Sequence, residues 1–165
     1  MLDINYPKVI ELFDNSNIQG ATPVSAMVRY VDGKPSYKDY RKYKVKTVKG
    51  PDDYHTMMEV IERRYKRLLV ENANLPDMII VDGGKTQVKA ASIVLKKLNI
   101  ENEITLIGLL KDDHHRTRGM VDRNFNEIFI DKKSDLFLLL EAMQDEVHRL
   151  SLIHISEPTR PEPIS

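Results

Sequence analysis

The chain has 165 residues, the size of one ordinary globular domain. Lysines plus arginines number 25 and acidic residues also number 25, so the formal net charge is zero. This balance excludes a strongly basic coat that binds nucleic acid nonspecifically. The sequence has no cysteine, which excludes disulfides and thiolate metal sites. No apolar run approaches the roughly 18–20 residues that a membrane-spanning helix needs.

The first part of the chain predicts an antiparallel meander of three strands. Residues 8–14 form a short apolar run that ends in an acid. Residues 23–31 alternate between apolar and polar side chains, which is the period of a strand with one buried face. The turn-forming pair Asp32-Gly33 then leads to a third alternating run over residues 37–47.

The rest of the chain predicts helices that alternate with buried strands. Asp52 and Asp53 place acids in the first turn of a helix, and an apolar stripe follows at helical spacing. The later elements are a strand over 77–82, a helix over about 86–98, a strand over 104–110, a charged loop over 111–126, a short strand over 127–130 and a helix from Ser134. This order predicts an α/β fold, in which a three-strand meander and β-α-β-α units form a mixed sheet flanked by helices.

Three acids and one histidine are the candidates for chemistry. Asp14 ends the first strand, Asp53 opens a helix and Asp82 ends a central strand before Gly-Gly. Catalytic groups of open α/β sheets collect at the carboxyl ends of strands. Carboxylates and water favour Mg²⁺ or Mn²⁺ over softer metals, and His148, at the edge of the last helix's apolar stripe, can complete such a site.

Each of these residues also has a purely structural interpretation. A strand-terminal aspartate is often a turn former, and Asp53 fits the role of a helix cap. A single histidine at the edge of a stripe is usually an ordinary surface residue. Spacing alone therefore predicts a mixed α/β domain, with an acidic metal site as one of the open possibilities.

Seven segments of the chain follow one another in a specific order. They are FDNSNIQG (13–20), SAMVRYVDGKP (25–35), YRKYKVKTVKGPDDY (40–54), ERRYKRLL (62–69), LPDMIIVDGGKTQV (75–88), IGLLKDDHHRT (107–117) and QDEVHR (144–149). In this order they resemble the C-terminal nuclease half of the UvrC family, the incision subunit of bacterial nucleotide excision repair.

The resemblance implies a ribonuclease H-like endonuclease domain over residues 1–149 that cuts DNA on the 5′ side of a lesion. It assigns Asp14, Asp82, Asp53 and His148 as catalytic. Asp14, Asp82 and His148 would hold Mg²⁺ or Mn²⁺ in a cytoplasmic enzyme. Gln144 stands where an arginine is common in the family, which predicts a weakened interaction with phosphate.

The same resemblance implies damaged double-stranded DNA as the substrate. It also implies UvrB, and through it UvrA, as partners of a longer protein whose docking segment is not visible in this sequence. A basic track for the DNA backbone is predicted from residues on and near the third strand and after Asp82, namely Arg41, Lys42, Lys44, Lys46, Lys49 and Lys85. The lysine row has an equally good structural interpretation, because charged side chains protect an edge strand from aggregation.

Two other functions remain open. One is a different ribonuclease H-like enzyme, such as a transposase or an RNA-cleaving nuclease, although the DGGK and QDEVHR motifs disfavour it. The other is a DNA-binding or partner-binding module with an inactive site. A metal titration and a comparison of DNA with RNA–DNA hybrid substrates separate these possibilities.

Residues 150–165 differ sharply in composition from the rest of the chain. Leu150–Arg160 resembles the conceptual translation of a sequencing adaptor, and three prolines fall in the last eight residues. We therefore expect a non-native, disordered tail after residue 149, with a natural flexible tail as the alternative. His148 would then lie in a frayed last turn and be held less firmly than Asp14 and Asp82.

Overall fold

A computed structural model of the chain describes residues 7–16, 23–48, 50, 52–114 and 116–156. The strands are β1 (Val9–Ser16), β2 (Val24–Val31), β3 (Lys34–Pro35), β4 (Arg41–Lys44), β5 (Met78–Val81), β6 (Thr105–Lys111), β7 (Thr117–Asp122) and β8 (Glu127–Phe129). The helices are α1 (Asp53–Val70), α2 (Lys85–Lys97) and α3 (Asp135–Ser156). Lys49, predicted to bind DNA, lies outside the described residues.

All eight strands belong to one mixed sheet, in the order β3-β2-β1-β5-β6-β7-β8, with β4 also paired to β2. The pairs of β1 with β2 and of β2 with β4 are antiparallel, which confirms the predicted meander. Strands β1, β5 and β6 are parallel neighbours, connected through α1 and α2. The predicted α/β fold with a mixed sheet and flanking helices is therefore confirmed.

Alternation along the central strands divides the core between the two faces of the sheet. Phe13, Met27 and Val81 pack with α1 and α2, whereas Leu12, Ala26 and Ile80 pack with α3. Because side chains of a strand alternate in direction, residue parity decides which helix layer each side chain meets. Even-numbered positions of β1 and β5 therefore face α3.

A buried ion network joins β1 to α1 and β2 on the first of these faces. Glu11 is fully buried, and its oxygens accept from Arg29 Nη1 at 2.8 Å, Arg64 Nη2 at 2.7 Å and the Tyr65 hydroxyl at 2.6 Å. Burial and the neighbouring Glu11 carboxylate raise the pKa of the Tyr65 phenol well above its usual value, so the phenol remains a donor. A buried charge is tolerated only when it is paired in this way.

Two stretches differ from the sequence prediction. The predicted charged loop over 111–126 contains strand β7, which pairs antiparallel with β6. The charged residues of β7 are typical of a loop. The pairing of β7 with β6 also contains a register shift beside Leu110 and Lys111, which interrupts the alternation of buried and exposed side chains. The third predicted strand is shortened to β4, because Tyr37–Asp39 forms a 3₁₀ turn before it.

The last helix is longer than predicted. Helix α3 continues to Ser156, and Ser151 is buried, so the expected disorder after residue 149 is wrong for residues 150–156. His148 therefore does not lie in the last turn of its helix. The predicted tail beyond Ser156 lies outside the described residues. No described helix is long and apolar enough to cross a membrane.

Candidate active site

Asp14 and Asp82 lie side by side at the carboxyl ends of two adjacent parallel strands. The last paired residues of β1 and β5 include Phe13 and Val81, and the Asp82 amide donates to the Phe13 carbonyl at 2.9 Å. Both aspartates are at even positions, so they face α3. This is the edge of the sheet where the sequence predicts the chemistry.

His148 reaches the same point from α3. Its Nδ1 lies 3.4 Å from Asp14 Oδ2, and its side chain is 67% exposed whereas that of Asp14 is 15% exposed. The helix is anchored just before His148 by Met143 and Val147, which are fully buried against the sheet. The structure therefore brings together Asp14, Asp82 and His148, which lie far apart in the sequence.

The surroundings of Asp14 disfavour the ionised form of its carboxyl group. Burial and the charge of Asp82 raise the pKa of Asp14 to about 6, and the nearby His148 and Lys111 only partly offset this shift. Asp53 contributes a smaller rise in the same direction. A bound cation would reverse this penalty, because opposite charge favours the ionised form.

Asp82 is the least satisfied polar group of the site. Its side chain is 1% exposed, and neither carboxylate oxygen has a hydrogen-bond partner in the described part of the chain. The ammonium of Lys111 lies 2.8 Å from Oδ1, so the two groups form an ion pair although the geometry is not that of a hydrogen bond. Lys111 was not among the predicted site residues. It is one of several charged residues that follow one another at the end of β6, and nothing in the sequence distinguishes it from them.

The donor set fits a divalent cation, although the ligands are not arranged as a finished cage. Among the described residues, no three histidine, aspartate or glutamate side chains are grouped closely enough to hold one metal ion together. Two carboxylates that face each other without a cation repel, which accounts for an open arrangement. Mg²⁺ is commonly held by one or two carboxylates and water, and an orphaned buried carboxylate such as Asp82 suits that role.

Asp53 is not the helix cap that its position suggests. The cap is Asp52, whose side chain accepts from the His55 amide at 3.1 Å. Asp53 is exposed, and its carbonyl accepts from Asn15 Nδ2 at 3.2 Å, which ties the start of α1 to β1 beside Asp14. Asp53 therefore lies at the rim of the site.

Gly108 supports the turn that follows Asp82. A Cβ at this position would lie 2.9 Å from the Gly83 carbonyl oxygen and 2.4 Å from a Val88 methyl group. Only glycine lets β6 approach the Gly83-Gly84 turn so closely. The turn itself positions Asp82, so Gly108 is a structural part of the site that the sequence did not reveal.

Gln144 has a partner within the domain. Its side-chain oxygen accepts from the Thr117 hydroxyl at 2.7 Å, and it lies one helical turn before His148. The register shift in β7 turns Thr117 toward α3, as bulges next to active sites often do. This hydrogen bond holds α3 on the sheet, and the weakened interaction with phosphate stays a prediction.

A family model of the UvrC ribonuclease H endonuclease domain matches residues 1–152. The chain belongs to this family. The resemblance inferred from the seven segments is confirmed, and the domain is a ribonuclease H-type endonuclease domain.

The chain is also similar, at lower identity, to several solved structures. Ciona intestinalis endonuclease V, in complex with a 24mer DNA containing an inosine followed by a ribo-adenosine, is 23% identical with a TM-score of 0.46; the match covers 67% of this chain and 48% of that one. Human endonuclease V is 12% identical, with 74% and 68% covered and a TM-score of 0.46. Kluyveromyces polysporus Argonaute with a guide RNA is 13% identical, with 78% and 18% covered and a TM-score of 0.36.

The chain thus spans about half the length of the Ciona protein. The family assignment itself rests on the match over residues 1–152.

The predicted basic track divides between the two faces of the sheet. Asp14, Ala26 and Lys42 are register partners across β1, β2 and β4, so Lys42 lies on the face of the site, two strands away. Lys44 pairs with Val24 and shares that face. Arg41 pairs with Met27, so it lies on the opposite face.

The other predicted DNA-binding residues have different surroundings. Lys46 follows the strand, and its amide donates to Glu59 at 2.8 Å. Lys85 is exposed at the first position of α2, just after the turn that follows Asp82. Strand β4 pairs only with β2 among the described strands, so the edge-protection role of its lysines is equally compatible with the structure.

Proposed function

We propose that this domain is a divalent-metal-dependent DNA endonuclease, which makes the incision on the 5′ side of a lesion in nucleotide excision repair. One observation carries the proposal. Asp14 and Asp82 follow the last paired residues of neighbouring parallel strands, His148 approaches Asp14 to 3.4 Å, and both oxygens of Asp82 are buried without a hydrogen-bond partner among the described residues. Such a set of groups is costly unless a cation completes it.

In this proposal each residue has a defined task. Asp14 and Asp82 would hold Mg²⁺ or Mn²⁺, and a bound cation would supply Lewis-acid polarisation of a phosphoryl oxygen and activation of water. His148, whose Nδ1 lies beside Asp14 Oδ2, would orient the attacking water or accept a proton from it. Asp53 adjusts the field from the rim, which its effect on the pKa of Asp14 supports.

The substrate and partners follow from family membership. Damaged double-stranded DNA is the proposed substrate, and UvrB, with UvrA acting through it, the proposed partner of the longer protein in the cytoplasm. Lys42, Lys44 and Lys85 lie where they can contact the DNA backbone near Asp14 and Asp82. Contacts of this kind position DNA without selecting sequence, which suits an enzyme that must act beside lesions anywhere.

The first test is cleavage of supercoiled plasmid by the purified chain with Mn²⁺, Mg²⁺ or chelator. We expect nicking that requires the metal and that is abolished in Asp14→Asn and Asp82→Asn. Glu103→Gln is the matched control, since this exposed acid lies before β6, at the opposite end of the sheet. Wild-type nicking by Asp82→Asn would overturn the metal-site assignment.

A second test addresses substrate and position. A duplex with one modified nucleotide, incubated with UvrA, UvrB and the longer protein that would carry this domain, should be cut on the 5′ side of the lesion, and Asp82→Asn in that protein should abolish this cut. Faster cleavage of an RNA–DNA hybrid would favour a different ribonuclease H-like nuclease. DNA binding without cleavage at any metal concentration would favour an inactive binding module.

A further inference from the structure

Lys111 is the only charged group that contacts the buried carboxylate of Asp82 in the part of the chain that the structure describes. Its ammonium lies 2.8 Å from Oδ1, while Oδ2 has no partner. The lysine side chain is 33% exposed, so it lies between the buried carboxylate and solvent. Lys111 is the last residue of β6, and its backbone is held in place by pairing with Thr117 next to the register shift.

The ammonium of Lys111 pairs with a carboxylate that the proposed divalent cation would also use. The ammonium and the divalent cation are attracted by the same two carboxylates, because Lys111 also lowers the pKa of Asp14. They therefore compete for one negative site. The ion pair partly offsets the cost of burying the Asp82 carboxylate.

We infer that Lys111 is an exchangeable counter-ion: it neutralises Asp82 in the metal-free domain and is displaced by the divalent cation, after which its ammonium contacts a phosphate of the DNA strand being cut. The inference rests on the proposed metal-dependent activity. The lysine side chain is flexible and partly exposed, so it can turn toward solvent when Asp82 is taken. A lysine next to the cleavage point then supplies a positive charge for phosphate.

The decisive measurement is the affinity of the purified chain for Mn²⁺, by calorimetry without DNA. Lys111→Met keeps the length of the side chain and removes the charge, so we expect Mn²⁺ to bind about tenfold more tightly. Lys111→Arg retains a competing cation and should bind Mn²⁺ about as weakly as the wild type. Lys89→Met removes one charge from exposed α2 and should change the affinity less than twofold.

The second measurement is single-turnover DNA cleavage at saturating Mn²⁺. Tighter metal binding together with cleavage slowed by roughly tenfold or more in Lys111→Met supports both parts of the inference. Unchanged Mn²⁺ affinity in a variant whose wild type binds the metal overturns the counter-ion role while leaving the proposed function intact. Full cleavage by a variant that binds metal more tightly overturns the interaction with phosphate.

Two further outcomes would show that the proposed metal site, and not only the role of Lys111, is wrong. If neither protein binds Mn²⁺, or if Asp82→Asn binds it as well as the wild type, the proposed metal site itself is wrong. If Lys111→Met melts below the assay temperature, Lys111→Gln replaces it, because its amide can still donate to Asp82 without a charge. The same expected tightening then applies.

Discussion

Strand β1 carries two acidic side chains, three residues apart and on opposite faces of the sheet, with very different surroundings. Glu11 is fully buried and accepts four hydrogen bonds from two arginines and a tyrosine. Asp14, near the end of the strand, has a raised pKa, and its neighbour Asp82 has an ion pair with Lys111 but no hydrogen-bond donor among the described residues. On one face of β1 the carboxylate is held by several hydrogen bonds. On the other face the described residues supply the Asp82 carboxylate with none.

The difference indicates which acid serves the fold and which serves the chemistry. Burial alone does not distinguish the two, since the side chains of Glu11 and Asp82 are 0% and 1% exposed. The supply of donors does distinguish them. A carboxylate with every lone pair satisfied holds elements together, whereas one without donors costs free energy until a cation arrives.

Removing Glu11 should have the largest effect on stability. Glu11→Ala leaves Arg64 buried without its partner, and breaking a buried ion pair in this way costs about 3–5 kcal/mol of unfolding free energy. Urea denaturation measures the loss. Glu62→Ala is the control: it removes an exposed partner of Lys97 and should cost less than about 1 kcal/mol. Similar small losses for both variants would contradict the division between the faces.

Removing the charge of Asp14 should raise the unfolding free energy of the metal-free domain, whereas removing Glu11 lowers it. The pKa of Asp14 is about 6 in the folded state against 3.8 as the ordinary value, so the folded chain binds this proton more tightly. The contribution of Asp14 to the stability of the wild type therefore falls as pH rises from about 4 to 6. Asp14→Asn lacks this loss and should be more stable above pH 6, by on the order of 3 kcal/mol.

Thermal melting in chelator at several pH values measures the effect of Asp14→Asn. The two proteins should differ little near pH 4 and should separate as the pH rises. Adding Mn²⁺ at pH 7 should stabilise the wild type more than the variant, because only the wild type has both carboxylates. A wild type that gains stability between pH 4 and 6 relative to Asp14→Asn would show that Asp14, like Glu11, is a satisfied group.

A smaller effect is expected where β7 holds α3. Thr117→Val keeps the shape of the side chain and removes the hydroxyl that donates to Gln144 at 2.7 Å. One such hydrogen bond is worth about 1 kcal/mol. A double-mutant cycle with Gln144→Leu should give a coupling of about that size, and additive losses would show that the two residues act independently. Because Gln144 lies one turn before His148, DNA cleavage should also slow in Thr117→Val.

Much of the fold could be predicted from the sequence, because its signals are local. Apolar stripes at helical spacing predicted α1, α2 and α3, and apolar runs ending in acids predicted β1 and β5. Strand β7 was missed, since its charged residues are typical of a loop and its pairing with β6 depends on a register shift that only the assembled sheet defines.

The site was predicted in outline, and for a physical reason. Asp14 and Asp82 end strands, and parallel strands bring their carboxyl ends to one edge. Lys111, Gly108 and the Glu11 network could not be found in the same way. Each depends on interactions between segments far apart in the chain, such as Glu11 with Arg64, and no spacing rule encodes them.

The smallest predicted effect extends the comparison between the two faces to strand β4. Lys42 and Lys44 share the face of Asp14, whereas Arg41 shares the face of Glu11 and its guanidinium donates to the carbonyls of Lys38 and Tyr40. If the face of Asp14 contacts DNA, replacing both lysines with alanine should weaken the salt dependence of DNA binding. The slope of log K against log salt should fall by up to about 1.8, since each phosphate that a lysine neutralises contributes roughly 0.9. Arg41→Ala, one position away on the other face, should leave the slope unchanged. Fluorescence anisotropy with labelled duplex at several salt concentrations measures both slopes. An unchanged slope for the double variant would assign these lysines to protection of the sheet edge, because that role needs charge at the edge but no phosphate.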